Sequence, residues 1–124
     1  MTETFRVGGI VAKQRPRVSK NGHIYTPQKT QRYEQEVFFE YCSQCKEFFT
    51  GAVEVTIQAN FQKPKKPTYE VPITKPDIDN VVKSILDGLN GCAWKDDSQV
   101  LKLTAEKRYT DDVSHVIVTI KECV

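Results

Sequence analysis

The clearest periodicity in the chain lies at residues 53–62, where Val53, Val55, Ile57, Ala59 and Phe61 alternate with Glu54, Thr56, Gln58, Asn60 and Gln62. Successive side chains of a strand point to opposite faces, so this pattern predicts a strand with one buried face. Shorter alternations at Leu101, Leu103 and Ala105 and at Val116, Val118 and Ile120 predict two more strands, joined as a C-terminal hairpin through a polar turn at Asp111 and Asp112. Thr4 to Ala12 is apolar and β-prone around Gly8 and Gly9, which predicts a first strand with a kink or bulge. Helical spacing appears at Tyr33, Val37, Tyr41, Cys45 and Phe48, a long helix from Gln28 to Phe49 that Gly51 stops. A second helix from Asp79 to Asn90 groups Ile78, Val82, Ile85 and Leu89 on one face, with Asn90-Gly91 as its stop.

The order β-α-β-α-β-β predicts an α/β (α+β) sandwich: a mixed four-stranded sheet with two main helices. The crossover helix allows parallel pairing, while the hairpin forces antiparallel pairing. Two proline-rich segments interrupt the pattern. Residues 13–27 hold Pro16, an Asn21-Gly22 turn signal and Pro27, which predicts an exposed basic arm or hairpin; residues 63–76 hold Pro64, Pro67, Pro72 and Pro76, which predicts a mobile basic loop. With 124 residues, no internal repeat and no linker, the expectation is one domain over residues 1–124. Hydrophobic content of 39% and charged content of 27% fit a soluble globular protein. No apolar run approaches the roughly 20 residues of a membrane span, and MTETFRVGG lacks a signal-peptide core, so the expected location is intracellular, in the cytoplasm.

A net charge of +2 says little by itself, but its distribution is uneven. Lys13, Arg15, Arg17 and Lys20 crowd one segment, Lys63, Lys65 and Lys66 another, and Lys107 and Arg108 a third, while Asp77, Asp79, Asp87, Asp96 and Asp97 gather between them. The first two clusters suit phosphate contacts, although solvated loop charges have the same appearance. Tyr25 and Tyr69 in the same arms are candidates for stacking on unpaired bases. Cys42 and Cys45 have the C-x-x-C spacing of a zinc or redox motif, but Cys92 and Cys123 are far apart in sequence and form no second pair. Cys45 on the helical stripe reads better as a small buried hydrophobe.

The aspartates carry the chemistry. Asp77 and Asp79 sit where a loop becomes a helix, so one can be an N-cap and the other a favourable charge near the helix start. In an extended backbone, however, residues i and i+2 point the same way and can converge on one ion. Lys83, one turn after Asp79, is an ion-pair partner or a phosphate ligand. Asp96-Asp97 alone is a turn, but if the chain runs back along the helix, Asp97 reaches the Asp77 end. Three clustered carboxylates repel one another unless a hard cation such as Mg²⁺ neutralises them.

The run from Lys75 to Val100, with Lys75-Pro76-Asp77-Ile78-Asp79-Asn80, Lys83, Asp87 and Trp94-Lys95-Asp96-Asp97-Ser98-Gln99, closely resembles the signature of the RusA-type Holliday junction resolvases. Arg15-Pro16-Arg17 and Tyr25-Thr26-Pro27 also look like that family, in the same order. The resemblance implies that Asp77, Asp79 and Asp97 bind metal and that Lys83 is the catalytic-site lysine; Asp87 and Asp96 match the pattern without an assigned role. It implies a Mg²⁺-dependent endodeoxyribonuclease, with Mn²⁺ as a substitute ion, that nicks four-way DNA junctions symmetrically as a homodimer during recombination and repair. Apolar residues of the first helix and the outer sheet face are candidates for the dimer contact. Phage or prophage origin is compatible with this reading. A nuclease for other branched or flapped DNA and a non-catalytic branched-DNA binder remain as alternatives.

Overall fold

A computed structural model describes residues 1–123. Strand β1 (Thr2–Gly8) is followed by a small hairpin, β2 (Arg17–Val18) and β3 (Ile24–Tyr25), then helix α1 (Gln28–Gln44), strand β4 (Val53–Gln62), helix α2 (Ile78–Leu89), a 3₁₀ turn at Asp97–Gln99, and strands β5 (Val100–Thr110) and β6 (His115–Glu122). The main sheet has four strands in the order β1-β6-β4-β5, and β4–β5 is its parallel pair. This is the mixed α/β sandwich that the residue pattern predicts, with the basic arm formed as a separate hairpin.

One face of the sheet makes the core. Phe5 and Val7, Val53, Val55 and Ile57, and Val116, Val118 and Ile120 pack with Tyr33, Val37 and Tyr41 of α1 and Val82, Ile85 and Leu89 of α2. The other face carries Thr4, Arg6, Thr56, Gln58, Thr104 and the half-buried Ile117, and is mostly polar. The helices approach closely at Gly88, where a Cβ would lie 2.8 Å from Val37 Cβ and 3.0 Å from Glu34 O.

Three features depart from the sequence reading. The C-terminal strands are not paired with each other: β6 lies between β1 and β4, and β5 is an edge strand. The turn after Thr110 passes over the end of β4, where Lys63 N–H donates to Thr110 O and Gln62 N–H to Ser114 Oγ. Burial explains the choice, because β4 and β6 are apolar along one face whereas β5 carries Lys102, Glu106 and Arg108, charges that suit an edge. Consequently Leu101 and Leu103, expected inside, are 74% and 44% exposed.

Helix α1 ends at Gln44 rather than Phe49. The Glu3 carboxylate on β1 accepts from the N–H groups of Lys46 and Glu47, and Tyr41 Oη donates to Glu47 O, drawing the chain off the helical path. Phe49, not Phe48, then enters the core. Strand β1 ends at Gly8, before Gly9 adopts a φ of 78°.

Candidate metal and nucleic-acid site

Asp77 is the residue preceding α2, in extended conformation, and its side chain makes no capping hydrogen bond. Its partner is the exposed Lys75, whose ammonium lies 2.9 Å from Asp77 Oδ1 and whose pKa that hydrogen bond raises. Asp79 stands exposed in the first helical turn, where the helix dipole favours a negative charge. The simple account of the pair as a helix cap therefore fails for Asp77 by direct geometry. Both carboxylates line one cavity of about 810 Å³, walled by Val71–Lys75, Ile78 and Lys107.

Asp97 does not return to that end within the chain. The loop after α2 doubles back at once: Gly91 N–H donates to Trp94 O at 2.7 Å, and Trp94 Nε1 donates to Asn90 Oδ1 at 2.7 Å. Trp94 is fully buried and bridges to Phe49, which anchors the loop at the C-terminal end of α2. Only then does β5 set out, so the residue that arrives beside the helix start is Lys107, whose ammonium donates to Thr74 O at 2.7 Å and Pro76 O at 2.9 Å. Val100 lies seven residues before Lys107, about 23 Å back along the strand. The strand does return along the helix as expected, but it sets out after Asp97 and leaves that residue behind. Among the described residues no three Asp, Glu, His or Cys side chains are arranged to hold one metal ion.

The neighbouring Asp96 serves the fold. Its carboxylate accepts from Ser98 N–H while Gln99 reaches back to the Asp96 N–H in a capping box, and hydrogen bonding from Ser98 lowers the Asp96 pKa. Gln99 Nε2 also donates to Phe49 O and Gly51 O. Asp97 is half-buried, and its carboxylate has no hydrogen-bond or ion-pair partner among the described residues.

Lys83 extends along the helix to Asp87 at 3.5 Å, not to Asp79, and is mostly exposed. Asp87 is shared with Lys13 at 3.1 Å, and Lys13 also meets Glu34 at 2.5 Å. Burial alone would lower the Lys13 pKa, but the hydrogen bonds and charges of Glu34 and Asp87 outweigh it and raise it. Lys13 thus departs from the expected basic arm: it is a half-buried brace between α1 and α2, already held by two carboxylates. Its backbone N–H donates to Asn80 O, and Ser84 Oγ to Val11 O, so this segment straps the first half of α2. Arg15, Arg17 and Lys20 are exposed on or beside the β2–β3 hairpin, and Lys63, Lys65 and Lys66 are exposed in the proline-rich loop. Tyr25 and Tyr69 are exposed as well.

Among the described residues the cysteines are not arranged to hold a metal ion. Burial raises the Cys45 thiol to about 11 and the Cys92 thiol to about 12, which disfavours the thiolate that zinc and redox chemistry need. His115 is buried, with Nε2 beside Asn60 Nδ2 and Nδ1 beside Val113 O, and is a structural residue. Lys107 is the residue that the sequence reading left without a role; its signal was the inward parity it shares with Leu103 and Ala105 on β5.

The carboxylates of Asp79 and Asp97 have no hydrogen-bond or ion-pair partner among the described residues and Asp77 pairs with Lys75; carboxylate oxygens are hard donors, the type that Mg²⁺ takes. Residues 8–121 match the family described as Endodeoxyribonuclease RusA. A Bacillus subtilis (strain 168) protein, described as uncharacterized protein YqaN, is 35% identical over 121 residues, covering 85% of this chain and 85% of its own.

Proposed function

The chain belongs to the endodeoxyribonuclease RusA family, and from that premise we propose that it is a homodimeric, divalent-metal-dependent resolvase of four-way DNA junctions. Its catalytic centre is completed between protomers. Asp77 and Asp79 of one chain hold the ion together with the partner's Asp97. The observation that carries this reading is that Asp79, in the first turn of α2, and Asp97, in the turn beyond its C-terminal end, both lack a hydrogen-bond or ion-pair partner among the described residues, with a helix about 18 Å long between the two turns. A two-fold contact pairs residue i with residue j and residue j with residue i, so an antiparallel contact along α2 and β5 would bring opposite ends of the same surface together twice. The exposed edge strand β5, with Leu101 and Leu103 bare, runs between the two ends and supplies apolar surface for such a contact. Two sites then form per dimer, matching the two opposed strands that a junction requires to be nicked.

Within each site the chain's own residues divide the work. The three aspartates hold and orient the ion, which neutralises the repulsion that carboxylates brought together at one centre would otherwise feel. A bound Mg²⁺ would neutralise charge on the phosphoryl oxygens and acidify the attacking water. Lys83, long and exposed beside α2, moves from Asp87 to the scissile phosphate and stabilises its developing charge. Arg15, Arg17 and Lys20 on the arm, with Lys63, Lys65 and Lys66 on the loop, contact flanking phosphates. Lys13 drops out of this set because its charge is already paired.

Co-expression of differently tagged Asp79→Asn and Asp97→Asn chains tests the arrangement. Each variant alone is inactive on a four-way junction. In the mixed dimer one of the two centres regains Asp77 and Asp79 from one chain and Asp97 from the other, so purified heterodimers nick the junction. Inactive heterodimers sink the shared centre, and a wild-type enzyme that cuts linear duplex as fast as the junction sinks the resolvase assignment.

A further inference from the structure

We propose that Lys107 is the positioning residue of the Asp77–Asp79 end: its ammonium clamps the loop that delivers Asp77 and holds a fixed positive charge beside both carboxylates. This rests on the reading of Asp77 and Asp79 as metal ligands. On β5, Leu103, Ala105 and Lys107 share the face that pairs with Val55, Ile57 and Ala59 of β4, these three all buried. A lysine at this parity must find partners for its charge. It has no ion-pair partner among the described residues. Instead it donates to the carbonyls of Thr74 and Pro76 and lies 5.5 Å from the centre of the Phe61 ring.

Neutral acceptors leave the full positive charge in place. That charge lines the same cavity as Asp77 and Asp79 without pairing directly with either carboxylate. The Pro76 carbonyl matters geometrically as well. The peptide unit is planar, so fixing Pro76 O fixes the N–H and Cα of Asp77 in the next position. Lys75 does not supply this clamp: its side chain is 85% exposed and its ammonium pairs with the Asp77 carboxylate, not with the loop backbone. The arrangement is an outer support for ligands, of the kind whose loss weakens metal binding while leaving the ligands themselves intact.

The test compares Lys107→Met, which keeps the stem and removes the charge, with Lys107→Arg, which keeps charge and donors. In junction cleavage the Met variant requires at least about tenfold more Mg²⁺ for half-maximal rate, with the rate at saturating metal within about threefold of wild type; the Arg variant falls between the two. A second readout needs neither DNA nor metal: the protease Glu-C cuts after Glu70, in the clamped loop, several-fold faster in the Met variant than in wild type. Wild-type metal dependence together with wild-type protection at Glu70 in a folded Met variant overturns the proposal. If the Met variant fails to fold, an Arg variant that folds yet loses both the metal affinity and the protection at Glu70 overturns it equally, because Arg retains the proposed contacts. Should the wild-type protein cut no DNA, the proteolysis result still decides the clamp separately from the nuclease reading.

Discussion

The two ends of α2 each carry a pair of aspartates, and they are built in opposite ways. At the C-terminal end the polar groups hold the fold together. Asp96 and Gln99 cap the 3₁₀ turn, Trp94 is buried with its Nε1–H on Asn90, and Gln99 pins the carbonyls of Phe49 and Gly51. Asp97 alone is left over. At the N-terminal end neither Asp77 nor Asp79 stabilises the helix through a side-chain hydrogen bond, and both face an open cavity. A carboxylate's role therefore follows from its hydrogen bonds and not from its neighbours in sequence. Asp96 and Asp97 are adjacent, yet only one is free to bind a ligand.

The same change made at both members of the adjacent pair tests this contrast most severely. Asp97→Asn is expected to reduce junction cleavage about a thousandfold, since several kcal/mol of charge stabilisation at the metal is lost. Asp96→Asn should leave cleavage within about threefold of wild type, because asparagine caps a helix as well as aspartate does. Single-turnover rates at saturating Mg²⁺ read both. Equal losses at the two positions would show that the hydrogen-bond inventory does not sort them.

A smaller effect probes the anchoring of the C-terminal end. Trp94→Phe keeps an aromatic ring but loses volume and the hydrogen bond to Asn90 Oδ1, and should cost about 1–3 kcal/mol in urea unfolding. Its cleavage defect should exceed what the unfolded fraction accounts for, because Asp97 departs from the same loop.

These contrasts also mark what was legible in the residues and what was not. Alternation made β4 and β6 readable, since each has one strongly apolar face. It could not disclose that β6 crosses over the end of β4, because pairing partners depend on which strands tolerate an edge, and the charges of β5 carry that information only weakly. Helix α2 was readable to within a residue, while α1 ran too long because its end is set by Glu3, a residue far away in sequence. The aspartates were identifiable by type and spacing, but their grouping was not. Asp97 would lie beside Asp77 only if the returning strand began at once after the helix, whereas Trp94 first anchors the turn at the far end of the helix.

The N-terminal end is strapped from outside, and Lys13 is the strap's half-buried charge. Lys13→Met leaves Glu34 and Asp87 facing each other with only the exposed Lys83 nearby, and should destabilise the fold by about 1–3 kcal/mol, less than for a fully buried pair. The pKa of Lys13 is raised above its ordinary 10.5, so its contribution is complete below that value and is lost as pH rises through the folded-state pKa. The stability gap between wild type and Lys13→Met should therefore be flat from about pH 6 to 9, as far as this group governs it, and should close above pH 10.5. Urea midpoints across that range measure it. The same change should not alter the salt dependence of DNA binding, which separates Lys13 from the arm it precedes.

The smallest effect concerns that arm. Residues 10–14 share a cavity wall with Lys75 and Pro76, so the β2–β3 hairpin springs from the Asp77 end of α2 and not from the Asp97 end. Arg15 and Arg17 are exposed and have no acidic partner among the described residues, which leaves their charge available to phosphate. Each phosphate contact adds roughly 0.9 to the slope of log affinity against log salt concentration. Arg15→Ala with Arg17→Ala should reduce that slope by about 1 to 2 while leaving cleavage of bound junction nearly unchanged, and Lys121→Ala, on β6 away from the arm, should not move it. Filter binding between low and moderate salt gives the slopes. An unchanged slope in the arginine pair would mean that these charges are merely solvated, and the Asp77 end would then need the proline-rich loop alone to overcome its repulsion for DNA.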